Sequence, residues 1–222
     1  MLVAAFVALG VWQVKRLAWK TELIAQVEAR IHAPAAPAPG PDRWRSITCE
    51  ADQYRRVHVR GVFLHDRETL VQAVTDLGAG FWVLTPLRTD QGFTVLVNRG
   101  FVPPDRKSLD TRAEGQSAGE QQVVGLLRIT EPHGGFLRAN DPERDLWRSR
   151  DVPAIAARRG LSEVAPYFID ADGAANPGGW PRGGLTVVRF SNSHLAYAIT
   201  WFGMAILTAV GWVVFVRRGG PR

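Results

Sequence analysis

From Leu195 to Val216 the chain reads LAYAITWFGMAILTAVGWVVFV, twenty-two residues without a charge. At ~1.5 Å of rise per residue a helix of that length reaches ~33 Å, against a membrane hydrocarbon core of ~30 Å. Burying it inside a soluble domain would need a large apolar core on every side, and the rest of a 222-residue chain is too small to supply one. The run therefore predicts a spanning helix. Met1 to Val14 is apolar apart from Gln13. It is short for a span, and no basic residue precedes it as in a secretory signal. Trp12 and Trp19 stand where an interfacial aromatic belt would lie, and Lys15 and Arg16 can snorkel from the end of a helix beginning at Met1. The run predicts a first spanning helix. A short cytoplasmic leader upstream of Met1 is expected, and amino-terminal sequencing of the native protein tests it.

Two spans put both termini on one side of the membrane. Arg217, Arg218 and Arg222 follow the second run, and short basic flanks favour the cytoplasm, so the middle of the chain is expected to face outward. Lys15 and Arg16 argue the other way. They begin a translocated segment longer than ~60 residues, where loop charge loses its hold on orientation. The formal net charge of +6 raises the question of nucleic acid. The basic residues are scattered as pairs such as Arg55-Arg56 and Arg158-Arg159 with acids between them, and no nucleic-acid motif accompanies them. Membrane lipids with anionic headgroups are the expected partners of this charge, and nucleic acid is not. Cys49 is the single cysteine, so neither an internal disulfide nor a cysteine-built metal cluster is available.

The expected organisation is a first transmembrane helix over 1–16, a helical extension over 17–32 and a Pro/Ala linker over 33–41. An outward-facing β-rich domain follows over 42–190, then a second transmembrane helix over 191–216 and a basic cytoplasmic tail over 217–222. Leu17, Ile24, Val27 and Ile31 recur at helical spacing, while APAAPAPGP from Ala33 to Pro41 is stiff and extended. Val57, Val59 and Phe63 alternate with polar neighbours through Tyr54 to Leu64, as in a half-buried strand. Thr69 to Val74, Gly80 to Arg88, Phe93 to Arg99, Gln122 to Ile129 and Val164 to Asp170 read as further strands, and Leu185 to Phe190 as a possible last one. Pro103 to Glu120 is polar and turn-rich, an exposed excursion. Asp151 to Arg159 is the best helix candidate, with Asp151 as cap, Pro153 in the first turn and Gly160 at the end. The predicted fold class is an α+β membrane protein. Its two transmembrane helices flank a mainly antiparallel β domain, a small sheet or partly closed barrel with one or two short helices.

Catalytic signals are weak. Gly178-Gly179 and Gly183-Gly184 lack the spacing and strand-to-helix context of a phosphate loop, and no serine lies in a nucleophile-elbow setting. An enzyme is not expected. His32, His58, His65 and His133 form no pair at metal-ligand spacing. His194 differs by position. If Ser191-Asn192-Ser193 caps the second span, His194 lies in its first turn at the outer interface. Steps of three or four carry its face through Tyr197, Ala198, Trp201, Ala205 and Thr208. Such a stripe suits close helix packing or a flat apolar ligand, and a neutral imidazole there could ligate haem iron. His, Tyr and Trp are equally at home in an interfacial belt.

The ends of the chain carry a resemblance. Gly10, Trp12-Gln13, Arg16, Trp19-Lys20 and Leu23-Ile24 resemble the opening of the Surfeit locus family of cytochrome c oxidase assembly factors. The run from Asn192 to Phe202 is similar to that family's second-helix signature. Val97-Asn98-Arg99-Gly100-Phe101-Val102-Pro103 resembles its central motif, with Phe101 where the family usually has Trp, and Asn140, Pro142 and Trp147 through Asp151 fit the same pattern. The resemblance implies a non-enzymatic assembly factor for haem-copper oxidase, whose partners are the catalytic subunit that receives haem a and other assembly factors. It implies that His194 holds the haem iron, and Tyr197 and Trp201 are candidates to line the haem beside it. Arg99 is a candidate partner for a haem propionate or an oxidase carboxylate, against an ordinary salt bridge beside a turn. The rival expectation is a cofactor-free scaffold that steadies oxidase subunits. In mitochondria the family carries a presequence, whereas this chain starts at its first span, which implies a bacterial plasma membrane with the domain on the periplasmic side.

Overall fold

A computed structural model describes residues 1–135, 138–186, 190 and 192–219. The elements run in the order α1 (Leu2–His32), β1 (Ala36–Pro37), α2 (Cys49–Asp52), β2 (Arg56–Phe63), β3 (Thr69–Thr75), β4 (Gly78–Thr89), β5 (Thr94–Val102), β6 (Glu120–Ile129), α3 (Val152–Arg158), β7 (Val164–Ala171) and α4 (His194–Arg217). They fall into two compact units, Arg30–Val187 and the helical pair of Met1–Ala29 with Val188–Arg222.

In the helical unit, α1 and α4 are both long and apolar enough to cross a membrane. Most of α4 is uncovered by protein: Ile199, Ile206, Leu207 and Trp212 are each more than 60% exposed, and only Ala198 and Ala205 are buried. Large apolar side chains turned outward along a whole helix suit lipid, not water. Gly10 of α1 and Ala198 and Ala205 of α4 are buried, small residues of the kind that let membrane helices approach closely, and aromatic rings pack beside them. Phe6 stacks on Trp201 with ring centroids 5.9 Å apart. A Cβ added to Gly10 would lie 2.6 Å from the Phe202 ring.

In the other unit seven strands form one mixed, mainly antiparallel sheet in the order β1-β2-β6-β7-β5-β4-β3, and β2 also pairs with β4. That extra pairing, Gly61 to Phe63 against Leu87 to Thr89, curls the sheet into a partly closed barrel. Alternation along the strands makes two cores. Val57, Val59, Val95, Val97, Tyr167 and Ile169 point into the barrel. Leu84, Leu96 and Phe168 point the other way, under Trp147 and the α3 residues Val152 and Ile155. The Asp151 carboxylate caps α3 by accepting from Ala154 N at 3.2 Å, Pro153 sits in its first turn, and Gly160 at φ +60° closes it.

Two segments depart from the expectations. The Pro/Ala stretch is extended but docked: Ala36 and Pro37 pair in parallel with Val57 and His58, and Ala38 is buried. The Pro39 carbonyl accepts from Tyr167 OH at 2.7 Å and from Trp44 Nε1 at 3.1 Å, so this stretch is part of the barrel unit. The excursion before β6 is fastened, with Arg112 and Gly115 buried. Residues 187–189 of the possible strand at Leu185 to Phe190 lie outside the described residues, as do Ser191 and Arg222. Ser193 is the N-cap residue of α4 but its side chain makes no capping hydrogen bond.

Candidate functional site

His194 is the first residue of α4 and is half-buried. Its Nδ1 lies 2.7 Å from Gln13 Oε1 on α1. Gln13 is 8% exposed although it sits in an apolar helix, because this contact satisfies its amide oxygen. An amide oxygen only accepts, so Nδ1 donates in this contact, and in a neutral ring the Nε2 lone pair is then left over. Nε2 has no hydrogen-bond partner among the described residues. The neutral tautomer with a free Nε2 is the form in which imidazole ligates a metal. Down the helix the expected stripe splits. Ala198 and Ala205 are buried, and Trp201 gives one ring face to Phe6, whereas Tyr197 is 54% exposed. His194 and Trp201 thus belong to the side that meets α1, and Tyr197 turns away from protein.

Arg99 lies in the barrel unit and is 4% exposed. Its guanidinium sits 5.0 Å from the Phe63 ring centroid. It donates to the Gly115 carbonyl and to Asn176 Oδ1 at 3.2 Å, and it lies 3.5 Å from His65 Nδ1. Burial lowers its pKa to about 10, a charge on Glu68 raises it and one on Arg112 lowers it again, so Arg99 is cationic at neutral pH. Nearby, Arg112 grips Glu68 through two hydrogen bonds, one of 2.8 Å. His65 donates Nε2–H to the Ser117 carbonyl at 3.1 Å. Burial foremost pushes its pKa down, with the charges of Arg99 and Arg112 adding to that and the Ser117 carbonyl and Glu68 opposing it.

Sequence reasoning missed an ionic hub at Asp170. Its buried carboxylate accepts from Asn98 Nδ2 at 2.7 Å, Arg128 Nη1 at 2.7 Å and Arg150 Nη1 at 3.0 Å. Arg150 also bonds Glu131 at 2.5 Å. Burial alone would lower the Arg150 pKa, and the carboxylates of Asp170 and Glu131 raise it above the ordinary value. Asn98 and Arg150 lie in two of the runs singled out above, and that was the only available signal. Asn140 serves the second run by accepting from the amides of Arg148 at 2.8 Å and Ser149 at 3.2 Å.

The profile described as the SURF1 family matches residues 1–206. The rat protein Surfeit locus protein 1 is 42% identical over 228 residues, covering 95% of this chain and 72% of its own. The human protein of the same name is 39% identical over 237 residues, covering 99% and 76%. A SURF1-like protein of Monosiga brevicollis is 38% identical over 231 residues, covering 96% and 84%.

Proposed function

From the premise that this chain belongs to the SURF1 family, we propose that it is an assembly factor for haem-copper cytochrome c oxidase and that His194 holds haem a for delivery to the catalytic subunit. The observation that carries the haem assignment is the 2.7 Å contact between His194 Nδ1 and Gln13 Oε1. It fixes the tautomer and orientation of the ring, the outer-shell contact that metal-bound histidines have. His194 would hold the haem through Nε2, and the haem would supply the iron. Exposed Tyr197, three residues on, offers a ring to the macrocycle; Trp201 contributes less, since Phe6 already covers one of its faces. Arg99 is left out of the haem assignment, because it belongs to the barrel unit and not to the helical unit that carries His194.

Two membrane-capable helices fit a membrane protein. The orientation in this reading puts Arg217 and Arg218 in the cytoplasm and the barrel outside, by the bias of short basic flanks. A bacterial plasma membrane is part of the same proposal, although the matched relatives named above are eukaryotic, and protease protection of spheroplasts tests it. The Phe6–Trp201 stack favours a second reading, a cofactor-free scaffold whose aromatic residues serve helix packing alone.

An optical spectrum of the detergent-purified protein, beside His194→Ala, from cells that make haem a separates the two. A haem a signal in the wild type that falls sharply in the variant is expected. Absence of haem in the wild type, with no saturable spectral change on adding haem a, would leave the scaffold. Equal retention by both proteins would move the ligand elsewhere.

A further inference from the structure

Arg99 stands where the barrel calls for an apolar side chain. Along β5 the inward row runs Val95, Val97 and then Arg99, the first two packed in the barrel core. At the end of that row a cavity of about 250 Å³ opens, lined among others by Phe63, Val97, Arg99, Ser117, Gln121 and Asn176. An arginine this deeply buried normally has a carboxylate against it, because an uncompensated charge in a low-dielectric site is costly.

Arg99 has none. Its hydrogen-bond acceptors, the Gly115 carbonyl and the Asn176 amide oxygen, are neutral, and so is the His65 ring beside it. The acids nearby are already balanced: Glu68 by Arg112, and Asp172, which also lines the cavity, by Arg56 at 2.6 Å. One positive charge is left over. A guanidinium carries five N–H donors, and the contacts above use three. The Ser117 hydroxyl, on the same cavity wall, has no hydrogen-bond partner among the described residues.

We propose that this cavity binds a carboxylate, with Arg99 as its counter-ion and, as further donors, the Ser117 hydroxyl and the second N–H of the Gln121 and Asn176 amides, whose first N–H groups serve the Ala118 and Pro181 carbonyls. A single charge selects a monoanion, since a phosphate dianion would leave an unbalanced negative charge in the same mouth. The guanidinium's planar donors match a carboxylate's two oxygens better than they match a spherical halide. The volume admits the carboxylate and a short stem, supplied either by a small organic acid or by the end of a polypeptide. The inference stands whether or not the chain handles haem.

The test is thermal unfolding of the full-length protein in detergent, titrated with sodium propionate and, at matched ionic strength, with sodium chloride. A parallel titration uses a tripeptide with a free carboxyl end and the same tripeptide amidated. A saturable rise in Tm with propionate and not with chloride is expected, lost in Arg99→Gln. Because Arg99→Gln also removes contacts that hold the fold, Ala174→Trp provides the second variant: Ala174 is exposed and lines the cavity. It should abolish the response while leaving the Tm without ligand near that of wild type. A propionate response with no peptide response identifies a small acid as the source; a free-carboxyl peptide acting at lower concentration than propionate identifies a chain end. An equal response to chloride, an equal response to the amidated peptide, a response undiminished in Ala174→Trp, or no saturable response would each overturn the proposal.

Discussion

Arg112→Met should be among the most damaging single changes in the barrel unit. The Arg112 side chain is 1% exposed and its partner Glu68 is 5% exposed. Besides holding both Glu68 oxygens, the guanidinium donates to the carbonyls of Arg106 at 3.1 Å and Lys107 at 3.3 Å, so it cinches the segment between β5 and β6 onto the sheet. Methionine matches the stem in volume but leaves the Glu68 carboxylate buried without its counter-ion. Losing one partner of a buried pair costs about 3–5 kcal/mol. For a domain of 150–250 residues each kcal/mol moves Tm by roughly 2–4 °C, so a fall of about 6–20 °C is expected. Glu68→Met with Arg112→Met removes both charges, and should recover part of the loss although the two carbonyl contacts are gone. The assay is thermal unfolding of wild type, both single variants and the double, read as a double-mutant cycle. Trypsin cleavage at Arg106 and Lys107 gives an independent readout, since freeing the segment should expose both bonds. Additive single effects, or a loss under ~2 °C in Arg112→Met, would refute the claim that this pair anchors the segment.

His65 gives the barrel a one-sided pH response. Burial holds its folded-state pKa below the ordinary value, so the unfolded chain binds the proton first as pH falls. The stability from neutral His65 is complete above about pH 6.5 and is lost as pH drops below it. Wild type should lose Tm more steeply than His65→Gln between about pH 6.5 and 5; parallel curves would contradict this. Gly10→Val should loosen the helical pair, because even the first added carbon would sit 2.6 Å from the Phe202 ring. Near-UV circular dichroism from the Phe6–Trp201 stack should weaken, and Phe202→Ala should restore it. An unchanged spectrum in Gly10→Val would show that the ring moves aside freely.

The parts of this fold legible in the sequence are those whose signal is local. Alternation at Val57 and Val59 marks β2 because a strand with one core-facing side repeats every two residues, whereas β5, buried on both faces, reads as a continuous β-rich run. Asp151, Pro153 and Gly160 mark α3 within ten residues of each other. Contacts between distant residues left no such trace. A two-residue strand such as β1 has no period to detect, and its docking depends on Tyr167, 128 residues from the Pro39 carbonyl it binds. His194 stood out by its place in the first turn of α4, but Gln13, which sets its tautomer, lies 181 residues away and reads only as one polar residue in an apolar run.

The run from Val97 to Pro103 shows why a recognisable motif still conceals its chemistry. Val97 packs in the barrel core, while its neighbour Asn98 points the other way and donates to Asp170 at 2.7 Å. Arg99 turns back to the barrel mouth as a cation without an anion. Gly100 at φ +130° occupies a region that favours glycine, and a side chain there would collide with the backbone at Arg182 and Gly183, where Phe101 pairs with Arg182 through hydrogen bonds of 2.9 Å each way. Phe101 meets Trp82 edge-on at 6.1 Å. Asn98, Arg99, Gly100 and Phe101 thus each meet a residue more than fifteen positions away, at Asp170, Gly115, Arg182 and Trp82. Asn98, Gly100 and Phe101 have their demands met inside the fold. Arg99 does not, and a buried charge left unbalanced beside a cavity is the feature of this run that a fold alone does not explain.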